Sequence, residues 1–315
     1  MDYKEKRKLI LETREEREKL SVHSAINMFI RSRRLKNLTS NTTTSYSQAL
    51  GKLYNFLNEN DIGKVNEVIL EDIQEFIQTR IDEGNSAPTI NKYLRSLRAF
   101  FNFLHGAGYL IENPMDTIEN LVEEKRILRT LNHKQVKLLL DMPNLSTPAG
   151  YRNYVFMLLI LDTGLRMEEA ITLSIDGIYW TERTLRVFGK GRKERLVPFS
   201  DILAVHMDEY LRLRTETDSS EFFVNINGQP LKRRTVQEEI SDYGKKARIK
   251  GVRVSCHTLR YTFARNYVLN GGDVVSLMRI MGHKSLHMAQ LYTEMFQTDI
   301  SKQHDKFSPV SSIFN

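Results

Sequence analysis

Arginine, lysine, histidine and tyrosine side chains recur at four places in the second half of the 315-residue chain, in settings suited to an anion. The first is Thr163-Gly164-Leu165-Arg166-Met167-Glu168-Glu169, directly after the apolar run Tyr154 to Leu161. Gly164 breaks that run, and Arg166 sits where a new helix would begin. The free N–H groups and positive dipole end of a helix N-terminus, joined by a guanidinium, form an anion site. A surface salt bridge with Glu169 is the plainer reading of the same residues. The second place is the turn Gly189-Lys190-Gly191-Arg192-Lys193. A lysine on a tight, glycine-flanked turn can enter a nucleic-acid groove and deliver a proton, or it can simply keep a strand edge solvated. The third is His257-Thr258-Leu259-Arg260, whose i,i+3 spacing puts imidazole and guanidinium on one helix face, able to grip one phosphate. The fourth is Met281-Gly282-His283-Lys284-Ser285, followed after His283 by Tyr292 within Ala289-Gln290-Leu291-Tyr292-Thr293. Most tyrosines are packing residues with a polar tip, and nothing local marks Tyr292 out as more.

Other chemistries fit less well. Cys256 is the single cysteine, which excludes an intrachain disulfide and a cysteine-rich zinc site. Its neighbour His257 cannot serve it as a base, because adjacent helical residues point about 100° apart. His257 and His283 lack carboxylate or cysteine companions at metal-ligand spacing. Neither a metal nor any other cofactor is expected.

Two domains must position these residues. A net charge of +7 raises the odds of a polyanionic partner, while 41% hydrophobic and 27% charged residues make an ordinary soluble balance. The N-terminus is charged from its second residue and no apolar run would cross a bilayer, so a cytoplasmic protein is expected. Residues 1–20, with seven basic and six acidic side chains, read as a charged arm. Residues 21–117 read as a helical domain. Its helices are marked by Ala25, Ile26, Phe29 and Ile30, by Leu50, Leu53, Phe56 and Leu57, by the span from about Leu70 to Asp82, and by a stretch that begins at the Ser86-Ala87-Pro88 punctuation and runs to Gly106. On the last of these, Leu94, Leu97, Phe100, Phe101 and Leu104 make a core face, and Asn91, Lys92, Arg95 and Arg98 a face for phosphates or for water. A linker is expected at 118–130, then a second domain at 131–295, mostly helical. Its one clear hairpin runs from Leu185 to Pro198 around the Lys190 turn. The fold class is mainly α with a small antiparallel β-sheet, closed by a tail at 296–315.

The order Arg166, Lys190, His257–x–x–Arg260, Gly282–His283, Tyr292 resembles the tyrosine recombinases, also called phage integrases, and is most similar to their Xer-like and transposon-borne members. The matching pieces are Thr-Gly-Leu-Arg-Met-Glu-Glu, Phe-Gly-Lys-Gly-Arg-Lys-Glu-Arg-Leu-Val-Pro, His-Thr-Leu-Arg-Tyr-Thr-Phe-Ala, and Met-Gly-His-Lys-Ser followed by Tyr. The resemblance implies a helical core-site-binding domain ahead of a catalytic domain. It implies that Tyr292 attacks the scissile phosphate to form a 3′-phosphotyrosyl link, and that His257 accepts its proton. Arg166, Arg260 and His283 would hold the phosphate oxygens, Lys190 would protonate the leaving 5′-oxygen, and Glu169 would orient the group. Lys92, Arg95, Arg98, Arg192, Lys193, Lys232, Arg233 and Arg234 are expected to face DNA. The implied partners are double-stranded DNA with a specific core site, three further copies of the chain in a tetramer built as a pair of dimers, and accessory proteins in some systems. The activity implied is integration, excision or resolution of DNA elements.

Two other readings stand beside this one: DNA relaxation as by a type IB topoisomerase, and a DNA-binding regulator without catalysis. An additional arm-binding domain would need more length than residues 1–20 provide, so short core sites are expected. The tail carries Phe296, Ile300, Phe307, Val310, Ile313 and Phe314, which must bury somewhere. It docks either on its own domain or, as the resemblance implies, in a neighbouring subunit, closing a ring.

Overall fold

Helix starts follow the polar punctuation of the sequence. Ser21 accepts a hydrogen bond from the Ser24 backbone N–H at 3.2 Å and opens α1 (Val22–Leu35); Pro88 stands in the first turn of α4 (Ala87–Gly106). Between them lie α2 (Ser40–Glu59) and α3 (Leu70–Asp82). The protein is represented by a computed structural model that describes residues 20–36, 38–123, 129–189 and 194–282, with His304, Ser308, Val310 and Ile313 as single positions. The arm at 1–19, the linker at 124–128, Lys190, Arg192, Lys193, His283, Tyr292 and the tail residues Phe296, Ile300, Phe307 and Phe314 lie outside the described residues. The chain divides into two compact units at residues 125 and 126.

In the first unit α1 packs on α2 and α4, and α4 also meets α3. The periodic apolar residues meet in one core, where Phe29 stands edge-on to Phe100 at 5.6 Å between ring centres. The polar face of α4 is divided. Lys92 and Arg95 are exposed, whereas Asn91 is buried. Asn91 accepts from the Leu121 N–H at 2.8 Å and donates to the Leu121 carbonyl at 2.9 Å and to Glu123 at 2.8 Å. Arg98 donates to the Ile118 carbonyl at 2.9 Å. Residues 118–123, expected as the start of a linker, therefore run along α4 as part of the first unit. A helix face bearing an amide and a guanidinium has no hydrophobic signature that would announce an extended partner so far along the chain.

The second unit is built around α6 (Pro148–Thr163), which is buried along most of its length. Before it comes α5 (His133–Leu140), after it the short α7 (Met167–Ile171). A three-stranded antiparallel sheet follows in the order β1 (Ile178–Tyr179), β2 (Thr184–Phe188), β3 (Glu194–Pro198). Leu185 lies opposite Val197, and both are buried, as the alternation predicts. β1, only two residues long, is too short to show alternation in the sequence. Then come α8 (Asp201–Leu213), α9 (Arg233–Lys246), α10 (Cys256–Leu269) and α11 (Val274–Met281). α6 packs against both α8 and α10. Among the described residues no helix is long and apolar enough to cross a membrane.

Asn91→Ala removes three hydrogen bonds from a buried position, at about 1 kcal/mol net each, so the first unit should lose about 2–3 kcal/mol. Limited proteolysis should then cut within residues 118–123 faster than in the wild type; an unchanged digestion rate would show that Asn91 does not hold this segment.

Candidate active site

α6 ends at Gly164, whose φ of 63° is left-handed and where a Cβ would come within 2.3 Å of the Phe263 ring. A glycine is therefore required both by the backbone and by the neighbour. The chain turns at once into α7, with Arg166 as its N-cap residue and Glu169 at the third helical position. Glu169 accepts from the Arg166 backbone N–H and from Arg166 Nη1, both at 2.9 Å. The expected ion pair is present, but it is not a surface bridge: the Glu169 side chain is only 5% exposed, against 38% for Arg166.

The reason a carboxylate can stay charged there is Arg195. From β3 its guanidinium makes a fork on Glu169, at 2.9 Å and 2.7 Å. Burial by itself raises the Glu169 pKa, but the Arg195 hydrogen bonds, the Arg166 N–H and the charges of both arginines outweigh it and hold the carboxyl below its ordinary range. Arg195 is not among the site residues expected from the motifs. Strand alternation carried the signal, since Arg195 stands two residues before buried Val197 and opposite buried Val187, so its side chain starts toward the interior.

Three guanidiniums converge on the end of α11. Arg195 Nε donates to the Ile280 carbonyl at 2.8 Å, Arg260 to the Met281 carbonyl at 2.7 Å, and Arg166 to the Gly282 carbonyl at 3.3 Å. Arg260 is buried and also donates to the Gly164 carbonyl, so it ties the end of α6 to the end of α11. The last carbonyls of a helix lack intrahelical partners and carry its negative dipole end, which suits cations. Gly282 caps α11 in the left-handed conformation, with φ of 64°, and the next residue in sequence is His283.

His257 lies in the first turn of α10, exposed at the surface, its ring 6.5 Å from that of Tyr261. Partial desolvation first, then the charges of Arg260, Arg233 and Arg166, push its pKa below the ordinary 6.5. The imidazole is thus neutral at pH 7 and able to accept a proton. Both shifts act in one direction on stability. The unfolded state takes up protons before the folded state does, so stability is full above the ordinary pKa of each group and is lost as pH falls through that value toward the folded one. Cys256 is buried, which pushes its thiol up to about 12 and leaves it an unreactive packing residue at pH 7. Among the described residues no cluster of His, Cys, Asp or Glu is arranged to hold a metal ion.

Of the outer basic residues, Lys232, Arg233 and Arg234 are all exposed at the start of α9. Arg233 reaches Glu168 at 3.3 Å and is felt by His257, whereas Arg234 pairs along its own helix with Glu238 at 2.7 Å.

Residues 129–298 match the model of the phage integrase family, and residues 31–108 that of the phage integrase N-terminal SAM-like domain. The chain belongs to the phage integrase family. Among its relatives is the tyrosine recombinase XerD of Staphylococcus haemolyticus (strain JCSC1435), 32% identical over 279 residues that cover 87% of this chain and 94% of that protein. Two solved structures share the fold. The Tn1549 transposon integrase in complex with circular intermediate DNA has a TM-score of 0.71 at 21% identity, covering 87% of this chain and 95% of that one. A lambda integrase tetramer bound to a Holliday junction has a TM-score of 0.70 at 19% identity, covering 84% and 78%. The protein is a tyrosine recombinase: it cleaves DNA at specific sites and rejoins the strands through a 3′-phosphotyrosyl intermediate. DNA is its partner.

In this recombinase Arg233→Gln should move the His257 titration upward toward its ordinary value, because one of the cations that depress it is removed. An NMR titration of the imidazole reads the shift. A midpoint that stays in place or falls would remove Arg233 from the electrostatics of the site.

Proposed function

We propose that the recombinase cuts with Tyr292 and that Arg166, Lys190, His257, Arg260 and His283 complete the reaction, with Glu169 orienting Arg166. The observation that carries this reading is the convergence of Arg166 and Arg260 on the carbonyls of Gly282 and Met281, immediately before His283, with His257 three residues before Arg260 on the same helix.

The Tyr292 oxygen attacks the scissile phosphorus while its proton passes to His257. A phenol with an ordinary pKa near ~10 needs such an acceptor at pH 7. The phosphorus–5′-oxygen bond breaks, Lys190 supplies a proton to the departing oxygen, and a free 5′-hydroxyl results. Arg166, Arg260 and His283 offset the charge that builds on the non-bridging oxygens, a task for preorganised cations. The phosphodiester bond energy is kept in the tyrosyl–DNA link, so a 5′-hydroxyl from another strand reverses the steps and rejoins the DNA without a nucleotide cofactor.

Lys92 and Arg95 on α4, Lys232 and Arg233 at the start of α9, and Arg192 and Lys193 between β2 and β3 serve as further contacts to the DNA backbone, with Arg98 and Arg234 contributing beside their protein partners. The active assembly on DNA is a tetramer, a pair of dimers linked by the tail at 296–315 docking into a neighbouring subunit. It acts in the cytoplasm on integration, excision or resolution of DNA elements, with accessory proteins where a system requires them.

Tyr292→Phe should bind its site and form no covalent adduct on a suicide substrate, since only the attacking oxygen is lost. Adduct at wild-type yield would sink the nucleophile assignment. Lys190→Ala should slow cleavage by about 10²–10⁴-fold, the usual range for a lost proton donor. Sulfur at the bridging 5′ position should restore most of that rate, because a thiolate departs without an acid; no rescue would give Lys190 a different role.

A further inference from the structure

Glu169 stands between two guanidiniums, and the charge count matters. Oε1 accepts from Nη1 of both Arg166 and Arg195 at 2.9 Å, and Oε2 accepts from the Arg166 N–H at 2.9 Å and from Arg195 Nη2 at 2.7 Å. With Arg166 as the only cation, the pair would be neutral and would offer a phosphate hydrogen bonds but little net attraction. The Arg195 fork adds a second positive charge, so the three groups together carry one net positive charge. Arg195 is itself withdrawn, with its side chain 15% exposed, and is fixed by the Ile280 carbonyl and by Gly282, where a Cβ would come within 3.0 Å of its guanidinium carbon.

We propose that Arg195 is a positioning residue of the cleavage reaction, which neutralises Glu169 so that the Arg166 cation stays uncompensated for the scissile phosphate. The inference rests on the assignment of Arg166 to the phosphate made above. Arg195 does not touch the DNA. It acts through Glu169, and its place on β3, paired with Val187 on β2, ties Arg166 to the two strands that flank the Lys190 turn. Through Ile280 the same side chain steadies the helix end from which the chain continues to His283.

The test is single-turnover cleavage of a suicide substrate by the full-length protein, read beside DNA affinity and thermal stability. Arg195→Met should cut about 100-fold more slowly, the loss typical of one preorganised transition-state group, with DNA affinity changed by less than about threefold. The double variant Glu169→Gln with Arg195→Met, which removes both compensating charges, should cleave at least about tenfold faster than Arg195→Met. A role confined to holding the fold predicts the reverse order, because the double variant loses more contacts. A double variant no faster than Arg195→Met, or an Arg195→Met enzyme at the wild-type rate, overturns the proposal. Should Arg195→Met fail to fold, Arg195→Lys and Arg195→Gln decide: the charged lysine should cut at least about tenfold faster than the neutral amide, and equal rates overturn the proposal. Failure of the wild type to form an adduct at Tyr292 would instead remove the reading of the site itself.

Discussion

The second unit is organised by cations pressed against the carbonyl end of one helix. Arg195, Arg260 and Arg166 reach the consecutive carbonyls of Ile280, Met281 and Gly282, and a single buried carboxylate, Glu169, is shared by two of the three. Guanidiniums held so close repel one another, and the helix dipole and one carboxylate offset only part of that. The residual positive field is fixed by the fold before any DNA arrives. On the proposed assignment of Arg166 and Arg260, a phosphodiester entering it would meet donors already oriented, so little reorganisation would be needed as charge builds in the transition state.

That arrangement explains two glycines and a run of hydrogen bonds that otherwise look like details. Gly164 lets α6 stop close enough to Phe263 for its carbonyl to meet Arg260, and Gly282 lets α11 stop against Arg195. Each is left-handed, and each sits at the end of a helix whose last carbonyl region takes a guanidinium. Larger residues would push the guanidiniums out of register with the helix end, so packing and electrostatics here are one constraint. Leu131 adds to it from outside, donating its N–H to the buried hydroxyl of Thr262 at 3.0 Å and so pinning the start of the unit to the middle of α10.

The first unit obeys a different logic. Its core is a set of interlocked aromatic and aliphatic faces, and its polar decisions are made by α4. There Asn91 and Arg98 are spent on residues 118–123, while Lys92 and Arg95 remain exposed. The chain thus keeps 118–123 with the helical unit and leaves only a short passage to the second.

Much of this was legible in the residues themselves. Helical spacing located α1 to α4, the Ser86-Ala87-Pro88 punctuation located the start of α4, and alternation located β2 and β3, because each of these signals is carried by residues within a few positions of one another. The chemical types were legible too: Arg166 at a helix start and His257 with Arg260 on one helix face follow from local spacing. What only the tertiary structure decided is who meets whom. Arg195 finds Glu169 across 26 residues, Arg260 finds Gly164 across 96, and Arg166 finds Gly282 across 116. Periodicity says which face of an element is apolar, but a hydrogen bond between distant elements depends on how their cores stack. The sequence alone therefore named Arg166, Arg260 and Glu169, and the fold added Arg195 and the helix end around which the cations gather.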